Sequence, residues 1–502
     1  MTEAATAATG ATAATGATAA TGATAATGAT RAVAAVDLGA TSGRVMIGRV
    51  GDGILELESV ARFPNGPVAG PDGLHWDFSA LYGHIVEGLR EAFRREPGIA
   101  SIGIDSWAVD YGLVSGGRLV AEPFHYRDER TADGVEQVHA RVPFAELYRR
   151  NGLQFLPFNT VYQFAVEEGV DDADAALLIP DLVAFLLTGR RVAERTNAST
   201  TGLVRVDTGE WDLDLLDRLG LPASVLPGLI DPGAVIGTVQ GDLADALGAT
   251  TPVIAVGSHD TASAVVAVPM TDAARAAYIS CGTWGLVGVE LDAPLVTDAA
   301  REAGFTNEGG VDGRIRFLQN VAGLWLLSES IRAWEADDGA AIDLPSLLDA
   351  AAAVTGEVAL FDANDPRLSA PGDMPDRIAA VLAETGAVVP RDRAALARSI
   401  VESIAAAFAD AVRTAGELTG RALEVVHIVG GGSLNRLLCQ ATADRTGLPV
   451  LAGPVEATAL GNVLVQARAH GWCGPVATLE DLRARVAESV PLERYAPRGD
   501  AR

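Results

Sequence analysis

The sequence has 502 residues, of which 49% are hydrophobic, so it is long enough to bury the cores of two domains. Its 38 Lys and Arg against 65 Asp and Glu give a formal charge of −27, which argues against nonspecific binding to nucleic acid or an anionic membrane. No stretch approaches the roughly 18 consecutive apolar residues of a membrane span, and the three scattered cysteines fit a reducing cytoplasm.

The N-terminal segment has an unusual composition. Residues 4–30 repeat Ala, Thr and Gly with no charged or aromatic residue, so they cannot bury enough surface to offset the entropy of ordering. We therefore expect residues 1–30 to be a disordered extension. The alternative, a secretory signal, is disfavoured because the segment lacks a basic start and a core rich in Leu, Ile and Val.

Beyond this extension, short β-branched runs alternate with longer helical patterns, which predicts an α/β protein. Apolar residues at three- and four-residue spacing predict an amphipathic helix over residues 77–95, followed by a strand over residues 99–104. The same periodicity predicts a second long helix over residues 394–418 and a strand over residues 425–429.

The turn at residues 37–44 has the composition of a phosphate-binding loop. Its two glycines allow backbone N–H groups to approach an anion, and Thr41 and Ser42 add hydroxyl donors. Asp37 can hold a metal ion through water. An ordinary hairpin turn would have a similar composition, so this segment alone does not decide between the two interpretations.

The strand over residues 102–104 ends in two acids around an aromatic, namely Asp105, Trp107 and Asp110. Carboxylates beside a flat apolar face suit a sugar, which has hydroxyls on its edges and C–H groups on its faces. Trp107 could equally be part of the core, with Asp110 as a turn residue.

A second strand, within residues 252–256, delivers the polar residues Ser258, His259 and Asp260 at its end. α/β proteins usually place ligands at this position, and a carboxylate there can accept a proton from an attacking hydroxyl. The alternative is that Asp260 or Ser258 caps the following helix and that His259 is a structural histidine.

A turn similar to that at residues 37–44 occurs in the second half of the chain. Residues 278–287 again place a small, hydroxyl-bearing glycine turn between two apolar strands. Two such loops suggest facing domains that hold one polyphosphate from both sides, although a pair of unrelated hairpins remains the alternative.

The strand over residues 425–429 leads into three consecutive glycines, residues 430–432, and then a helical pattern. Glycines at this point let a flat group lie against bare backbone, which favours an adenosine site. The dinucleotide fingerprint G-x-G-x-x-G is absent from this segment, and a tight strand-to-helix connection is the alternative.

In this order, the segments resemble the FGGY carbohydrate kinases, members of the actin-like ATPase superfold, over residues 33–466. The segments Gln-Phe-Leu-Pro-Phe-Asn-Thr and Thr-Asn-Glu-Gly-Gly resemble those of the family members that act on L-rhamnulose. The resemblance implies two actin-like (ribonuclease H-like) domains flanking a deep nucleotide and sugar cleft. The expected divisions are an N-terminal domain over 31–271, a C-terminal domain over 272–490 and a tail over 491–502.

The resemblance implies a cytoplasmic enzyme, a monomer or homodimer, that phosphorylates the 1-hydroxyl of L-rhamnulose with ATP and Mg²⁺. Asp260 would be the proton acceptor, and Asp37 is the candidate for holding the metal through water. The residues expected at the sugar are Trp107, Ala108, His259, Asp260, Thr261 and Asn320. Those expected at ATP are Ala40, Thr41, Ser42, Gly43, Arg44, Thr283, Ser328 and Gly431.

Two residues depart from the family pattern. Ala108 stands where the pattern has a substrate-contacting glycine, and Ser328 stands where relatives carry a glutamine near ATP. Two alternative functions remain open: a kinase for another ketose, such as L-fuculose, xylulose or ribulose, or for a sugar-like signalling molecule, and a non-catabolic actin-like ATPase. The acidic strand ends count against the second alternative, because such an ATPase needs no sugar pocket.

Overall fold

The structure, a computed structural model, describes residues 30–248 and 250–499, so nearly all of the predicted extension lies outside the described residues. The strands are β1 (Arg31–Leu38), β2 (Ser42–Gly51), β3 (Ile54–Pro64), β4 (Pro67–Ala69), β5 (Leu74–Trp76), β6 (Ile99–Ser106), β7 (Tyr111–Ser115), β8 (Arg118–Leu119), β9 (Ala175–Leu178), β10 (Val192–Glu194), β11 (Gly228–Ile230), β12 (Val235–Thr238), β13 (Pro252–Ile254), β14 (Ala276–Cys281), β15 (Trp284–Leu291), β16 (Thr306–Gly309), β17 (Ile315–Ala322), β18 (Val425–Val429), β19 (Val450–Ala452) and β20 (Glu493–Tyr495).

The helices alternate with these strands. They are α1 (Phe78–Arg95), α2 (Thr131–Arg141), α3 (Phe144–Asn151), α4 (Thr160–Phe164), α5 (Ile179–Thr188), α6 (Arg195–Ala198), α7 (Leu213–Leu219), α8 (Gly241–Leu247), α9 (Asp260–Val266), α10 (Asp298–Glu302), α11 (Trp325–Asp338), α12 (Leu344–Ala353), α13 (Met374–Glu384), α14 (Arg393–Thr419), α15 (Arg436–Thr446), α16 (Ala457–Ala469) and α17 (Leu479–Ser489). Among the helices described, none combines the length and apolar character needed to cross a membrane.

Each half of the chain is built on one large sheet, and the central strands of the two sheets have the same connectivity. The N-terminal sheet has the strand order β12-β13-β6-β1-β2-β3, and the C-terminal sheet has the order β16-β17-β15-β14-β18-β19-β20. In each, a hairpin (β1–β2 or β14–β15) pairs in parallel with a later strand (β6 or β18). The two predicted phosphate loops therefore occupy equivalent hairpin turns of the two halves.

The sequence patterns account for the layers around these sheets. The helix predicted over 77–95 is α1, whose apolar stripe packs on β2 and β3, and Asp77 caps it by accepting from the Ala80 N–H at 3.0 Å. The long helix predicted over 394–418 is α14, which ends at the left-handed Gly420. The strand predicted over 425–429 is β18. The predicted α/β class is confirmed.

Two helices, α9 and α16, lie between the sheets and share one apolar core with β1 and β14. They cross closely, since a Cβ at Gly461 would lie 1.8 Å from the Ser263 carbonyl oxygen. On α16, Asn462 and Gln466 form a buried polar network with the N-terminal sheet, in which Gln466 donates to the Ala34 carbonyl at 3.0 Å. The two halves are therefore joined by a tight, specific contact below the cleft.

Two additions complete the halves. Between β6 and β12, part of the segment 107–234 forms a separate apolar core around the small sheets β8-β7-β9 and β10-β11, and the rest packs into the core of the N-terminal sheet. At the C-terminus, β20 pairs with β19. Part of the segment predicted as a tail therefore belongs to the C-terminal sheet, and that half extends beyond residue 490.

Candidate active site

A cavity of about 480 Å³ lies between the two halves, at the ends of the strands where the sequence predicts site residues. The structure brings most of the predicted site residues together there. The predicted residues that line the cavity are Asp37, Ala40, Thr41, Ser42, Arg44, Trp107, Ala108, His259, Asp260, Thr261, Thr283, Asn320 and Gly431.

Two predicted ATP contacts, Gly43 and Ser328, are not among the described residues that line this cavity. Gly43 is buried in β2, and a Cβ at this position would lie 2.1 Å from the Phe63 ring, so packing accounts for the glycine. Ser328 lies on α11 with its side chain exposed. Alignment of a residue with a family motif does not by itself show in which direction its side chain points.

The first loop is the tight turn between β1 and β2. It is closed by a hydrogen bond from the Gly39 N–H to the Ser42 carbonyl at 2.9 Å. Asn65 holds it from outside, donating its side-chain amide to the Gly39 carbonyl at 2.8 Å and its backbone N–H to the Thr41 carbonyl at 3.1 Å. Sequence reasoning missed Asn65, because a single Asn after a strand carries no distinctive signal.

Charge is unevenly distributed around this loop. Asp37 is 3% exposed and accepts from Arg44 at 2.8 Å, while Arg44 also pairs with Glu456 across the cleft. Burial raises the pKa of Asp37 to about 6; Arg44 opposes the rise, and the nearby Asp260 and Glu456 add to it. The part of the cavity around this loop therefore has three carboxylates, those of Asp37, Asp260 and Glu456, of which two pair with the Arg44 guanidinium. This excess of negative charge fits a bound cation.

The donors on this wall suit one mode of metal binding. Within the described residues, no group of three or more His, Cys, Asp or Glu side chains converges on a metal position. Mg²⁺ is commonly held by one or two carboxylates together with water and substrate phosphates. The desolvated Asp37 carboxylate fits that mode, whereas a site made only of protein ligands does not.

The second loop is the turn between β14 and β15, where the Gly282 N–H donates to the Trp284 carbonyl at 2.9 Å. The glycine segment after β18 packs against it, since a Cβ at Gly432 would lie 2.3 Å from Cys281 Sγ. Gly431 and Leu434 of that segment line the cavity, and Leu434 is 68% exposed. An exposed apolar side chain beside open backbone suits a flat aromatic ring.

The predicted base is at the start of α9. His259 occupies the N-cap position of this helix and Asp260 is its first residue, so the capping alternative does not account for Asp260. The Asp260 side chain is 31% exposed in the cleft, and it accepts from Thr261 Oγ1 at 3.1 Å. A carboxylate so placed can take a proton from a bound hydroxyl.

A buried carboxylate holds the chain just before this base. Glu194 is 1% exposed and accepts from the backbone N–H and the hydroxyl of Ser258 at 2.9 and 2.8 Å. It also accepts from the Thr196 N–H at 2.9 Å, at the first turn of α6. Sequence reasoning missed Glu194, since this acid and Ser258 are 64 residues apart.

The interpretation of Asp105 and Asp110 as sugar-facing acids was wrong, because both are fully buried. Asp110 accepts from the indole N–H groups of Trp76 and Trp107 at 2.7 and 3.0 Å, and from Gln163 at 3.0 Å. Burial outweighs these bonds and raises its pKa to about 6. Asp110 thus orients Trp107, which itself lines the cavity.

Asp105 is held by the neighbouring half instead. Its Oδ2 accepts from Asn462 at 2.6 Å, while its Oδ1 has no hydrogen-bond partner among the described residues. Burial, followed by the proximity of Asp37, raises its pKa well above the ordinary value.

The turn beside Trp107 has a constrained backbone. Val109 has φ of 70°, a conformation that β-branched residues rarely adopt, and its carbonyl accepts from the Thr160 hydroxyl at 2.7 Å. Gln154, in the same motif as Thr160, accepts from both the N–H and the side-chain amide of Asn320, at 3.0 and 3.2 Å. This leaves Asn320 Oδ1 to accept a hydrogen bond from a ligand hydroxyl.

The chain matches known proteins over nearly its full length. Residues 32–267 match the N-terminal domain, and residues 277–470 the C-terminal domain, of the FGGY family of carbohydrate kinases. The chain is similar to the rhamnulokinase of Bacteroides thetaiotaomicron, with 40% identity over 92% of this chain and 95% of the relative. It is also similar to that of Oceanobacillus iheyensis, with 37% identity over 92% and 97%.

Solved structures show the same fold at low identity. A ligand-bound xylulose kinase from Lactobacillus acidophilus aligns with a TM-score of 0.76 at 18% identity, covering 93% of this chain and 94% of that chain. Plasmodium falciparum glycerol kinase with ADP aligns with a TM-score of 0.74 at 16% identity, over the same shares.

Proposed function

The chain belongs to the FGGY family of carbohydrate kinases, and we propose that it transfers the γ-phosphoryl group of ATP to the 1-hydroxyl of L-rhamnulose. The observation that carries the reaction type is Asp260, a partly exposed carboxylate in a cleft that both hairpin loops line. The choice of sugar is supported by 40% identity to a curated rhamnulokinase over nearly the whole chain.

Asp260 is the proton acceptor in this proposal. The hydroxyl of the sugar donates to the carboxylate, which takes the proton as the oxygen attacks the γ-phosphorus and ADP leaves. The Thr261 hydroxyl, 3.1 Å from Asp260 Oδ1, fixes the orientation of the carboxylate. Closure of the two halves excludes water, which would otherwise be an alternative acceptor of the phosphoryl group.

The nucleotide is held from both sides. Residues 40–42 and Arg44 of the first loop and Thr283 of the second would contact the phosphates, while Gly431 and Leu434 would contact the adenosine. Asp37 would hold Mg²⁺ through water. An ion held there would supply positive charge that offsets the negative charge of the phosphates. Gly43 and Ser328 have no direct part in this proposal.

The sugar lies against Trp107, with Asn320 Oδ1 accepting one of its hydroxyls and His259 beside the base. The methyl of Ala108 also lines this wall, where the family pattern has a glycine. This specific observation supports a second candidate, a kinase whose preferred acceptor is a related ketose with less bulk near Ala108.

The proposal is tested by measuring ADP release with L-rhamnulose, L-fuculose, xylulose and ribulose. We expect the highest kcat/KM with L-rhamnulose, and a product whose phosphorus NMR signal couples to the protons of C1. A clear preference for another ketose would reject the proposed sugar while leaving the kinase assignment intact.

The role of Asp260 is tested with Asp260→Asn, which keeps the shape but cannot accept the proton. Turnover should fall by roughly two or more orders of magnitude, as expected for loss of a general base, with ATP binding retained in calorimetry. Asp52→Asn, at an exposed turn, is the control and should behave as wild type. Near-normal turnover of Asp260→Asn would reject the assignment.

A further inference from the structure

A buried ion pair from the C-terminal half reaches His259, the residue next to the proposed base. Glu308 on β16 and Arg316 on β17 are directly paired across the antiparallel strands. Arg316 Nη1 lies 3.0 Å from Glu308 Oε2, and Arg316 Nε donates to the Gly309 carbonyl at 2.9 Å. Arg316 is fully buried and Glu308 is 6% exposed.

The third contact of this guanidinium determines the form of the histidine. Arg316 Nη2 lies 3.0 Å from His259 Nδ1. A guanidinium has only N–H donors, so His259 Nδ1 must accept and carries no proton. The imidazole is therefore neutral with its proton on Nε2, and this nitrogen lies 3.4 Å from Asp260 Oδ1.

We propose that Glu308 and Arg316 are positioning residues for the phosphoryl transfer: they hold His259 as the Nε2-protonated tautomer, which keeps the Asp260 carboxylate directed at the sugar hydroxyl. The proposal rests on the proposed function, in which Asp260 is the proton acceptor. The contact runs from the C-terminal half to the N-terminal half, so it orders the base when the two halves are together.

Glu308 completes the arrangement by keeping the guanidinium in place. Although burial opposes it, the charge of Arg316 lowers the pKa of Glu308 below its ordinary value, so Glu308 remains ionised beside it. Glu308 Oε2 also lies 3.4 Å from His259 Nδ1. Without Arg316, the Glu308 carboxylate would be the acceptor beside Nδ1 and would favour the Nδ1-protonated tautomer, which leaves Nε2 with no proton to donate to Asp260.

Stability alone does not account for the pair. A buried ion pair loses solvation on both partners, and an apolar pair of similar volume often stabilises a fold equally well. The same half contains a comparable pair that is not among the described residues lining the cleft cavity: Arg483, fully buried, donates to Glu290 at 2.9 and 2.6 Å, and it also donates to the Val265 carbonyl of α9 at 3.3 Å. This second pair provides the control for loss of a buried arginine.

The first measurement is made on the wild-type protein. Nitrogen-15 shifts of labelled histidine distinguish protonated from unprotonated ring nitrogens, and the His259 signals are assigned by their loss in His259→Gln. We expect Nε2 to be protonated and Nδ1 to be unprotonated. The opposite tautomer, or an imidazolium at neutral pH, would overturn the proposal without any variant having to fold.

The second measurement compares Arg316→Met, Arg316→Lys and the control Arg483→Met. Because misplaced catalytic groups lose up to about 100-fold in rate, Arg316→Met should lower kcat by roughly 10- to 100-fold and alter the His259 nitrogen shifts. KM for ATP should stay unchanged. Arg316→Lys, which keeps the charge and one donor, should recover part of the loss, and Arg483→Met should retain wild-type kcat in the folded fraction.

The outcomes separate this proposal from the one on which it rests. Active Asp260→Asn would reject the proposed base. Inactive Asp260→Asn together with wild-type kcat in Arg316→Met would reject only the positioning role. An equal loss of kcat in Arg483→Met would show that any buried arginine has this effect, which would also reject it.

Discussion

Removing the charge of Asp37 should stabilise the ligand-free protein. The carboxylate is 3% exposed, and its pKa rises from an ordinary 3.8 to about 6, mainly through burial, even with Arg44 beside it. The ionised form therefore lowers the free energy of unfolding. Asp37→Asn keeps the shape of the side chain without the charge.

The magnitude follows from the two pKa values of Asp37, the raised one in the folded protein and the ordinary one in the unfolded chain. A tenfold change in proton affinity corresponds to about 1.4 kcal/mol, so the ionised carboxylate costs at most roughly 3 kcal/mol above pH 6. Between about pH 6 and pH 4 the native protein binds more protons at this group than the unfolded chain does, so wild-type stability rises as pH falls. The advantage of Asp37→Asn should thus be complete above about pH 6 and vanish near pH 4.

The assay is unfolding by heat or urea, followed by tryptophan fluorescence without nucleotide or metal, from about pH 4.5 to pH 8. If the N-terminal half, residues 31–271, unfolds as one unit, roughly 3 kcal/mol corresponds to a melting temperature higher by about 5–10 °C at pH 8. Asp52→Asn, at an exposed turn, is the control. Lower stability of Asp37→Asn at pH 8 would refute the reasoning, because the bond to Arg44 would then outweigh the desolvation of Asp37.

Three further predictions concern residues that support the cleft. Gly43→Ala should destabilise the protein by about 1–3 kcal/mol by forcing the Phe63 ring to move, whereas Gly66→Ala, whose Cβ meets no described atom within 4 Å, should have little effect in the same melting assay. Arg127→Ala removes a guanidinium that lies 4.2 Å from the centre of the Trp325 ring in the other half, and so removes a contact between the halves. We expect kcat/KM for the sugar to fall about tenfold and X-ray scattering to show a more open cleft. Asp110→Leu removes the acceptor of the Trp107 indole N–H, so KM for the sugar should rise at least about tenfold while KM for ATP stays unchanged. Equal changes in both KM values would contradict the role of Asp110 in orienting Trp107.

The sequence predicted the parts of this fold that depend on local pattern. Helix α1 and strand β18 follow from the spacing of apolar residues, which an element needs in order to face a core. The two hairpin turns were found because each is a contiguous run of small and hydroxyl-bearing residues. Asp260 was found because it closely follows a buried strand.

Side-chain direction could not be predicted in the same way. Asp110 and Asp260 both follow strands, yet Asp110 is buried against indole N–H groups, while Asp260 is partly exposed in the cleft. Arg316 is 57 residues from His259 in sequence and lies on a strand of the other half, so no local pattern links them. Such contacts depend on how separate elements pack, which composition and spacing do not specify.

Two of the distant contacts cross between the halves. Arg44 pairs with Glu456, and His259 accepts from Arg316, so both the proposed phosphate loop and the neighbour of the proposed base receive partners from the C-terminal half. A nucleotide bound between the two hairpin loops would hold the halves together and keep those partners in place. Binding of one substrate would therefore help to order the proposed base that acts on the other, because the contact between Arg316 and His259 exists only when the halves meet.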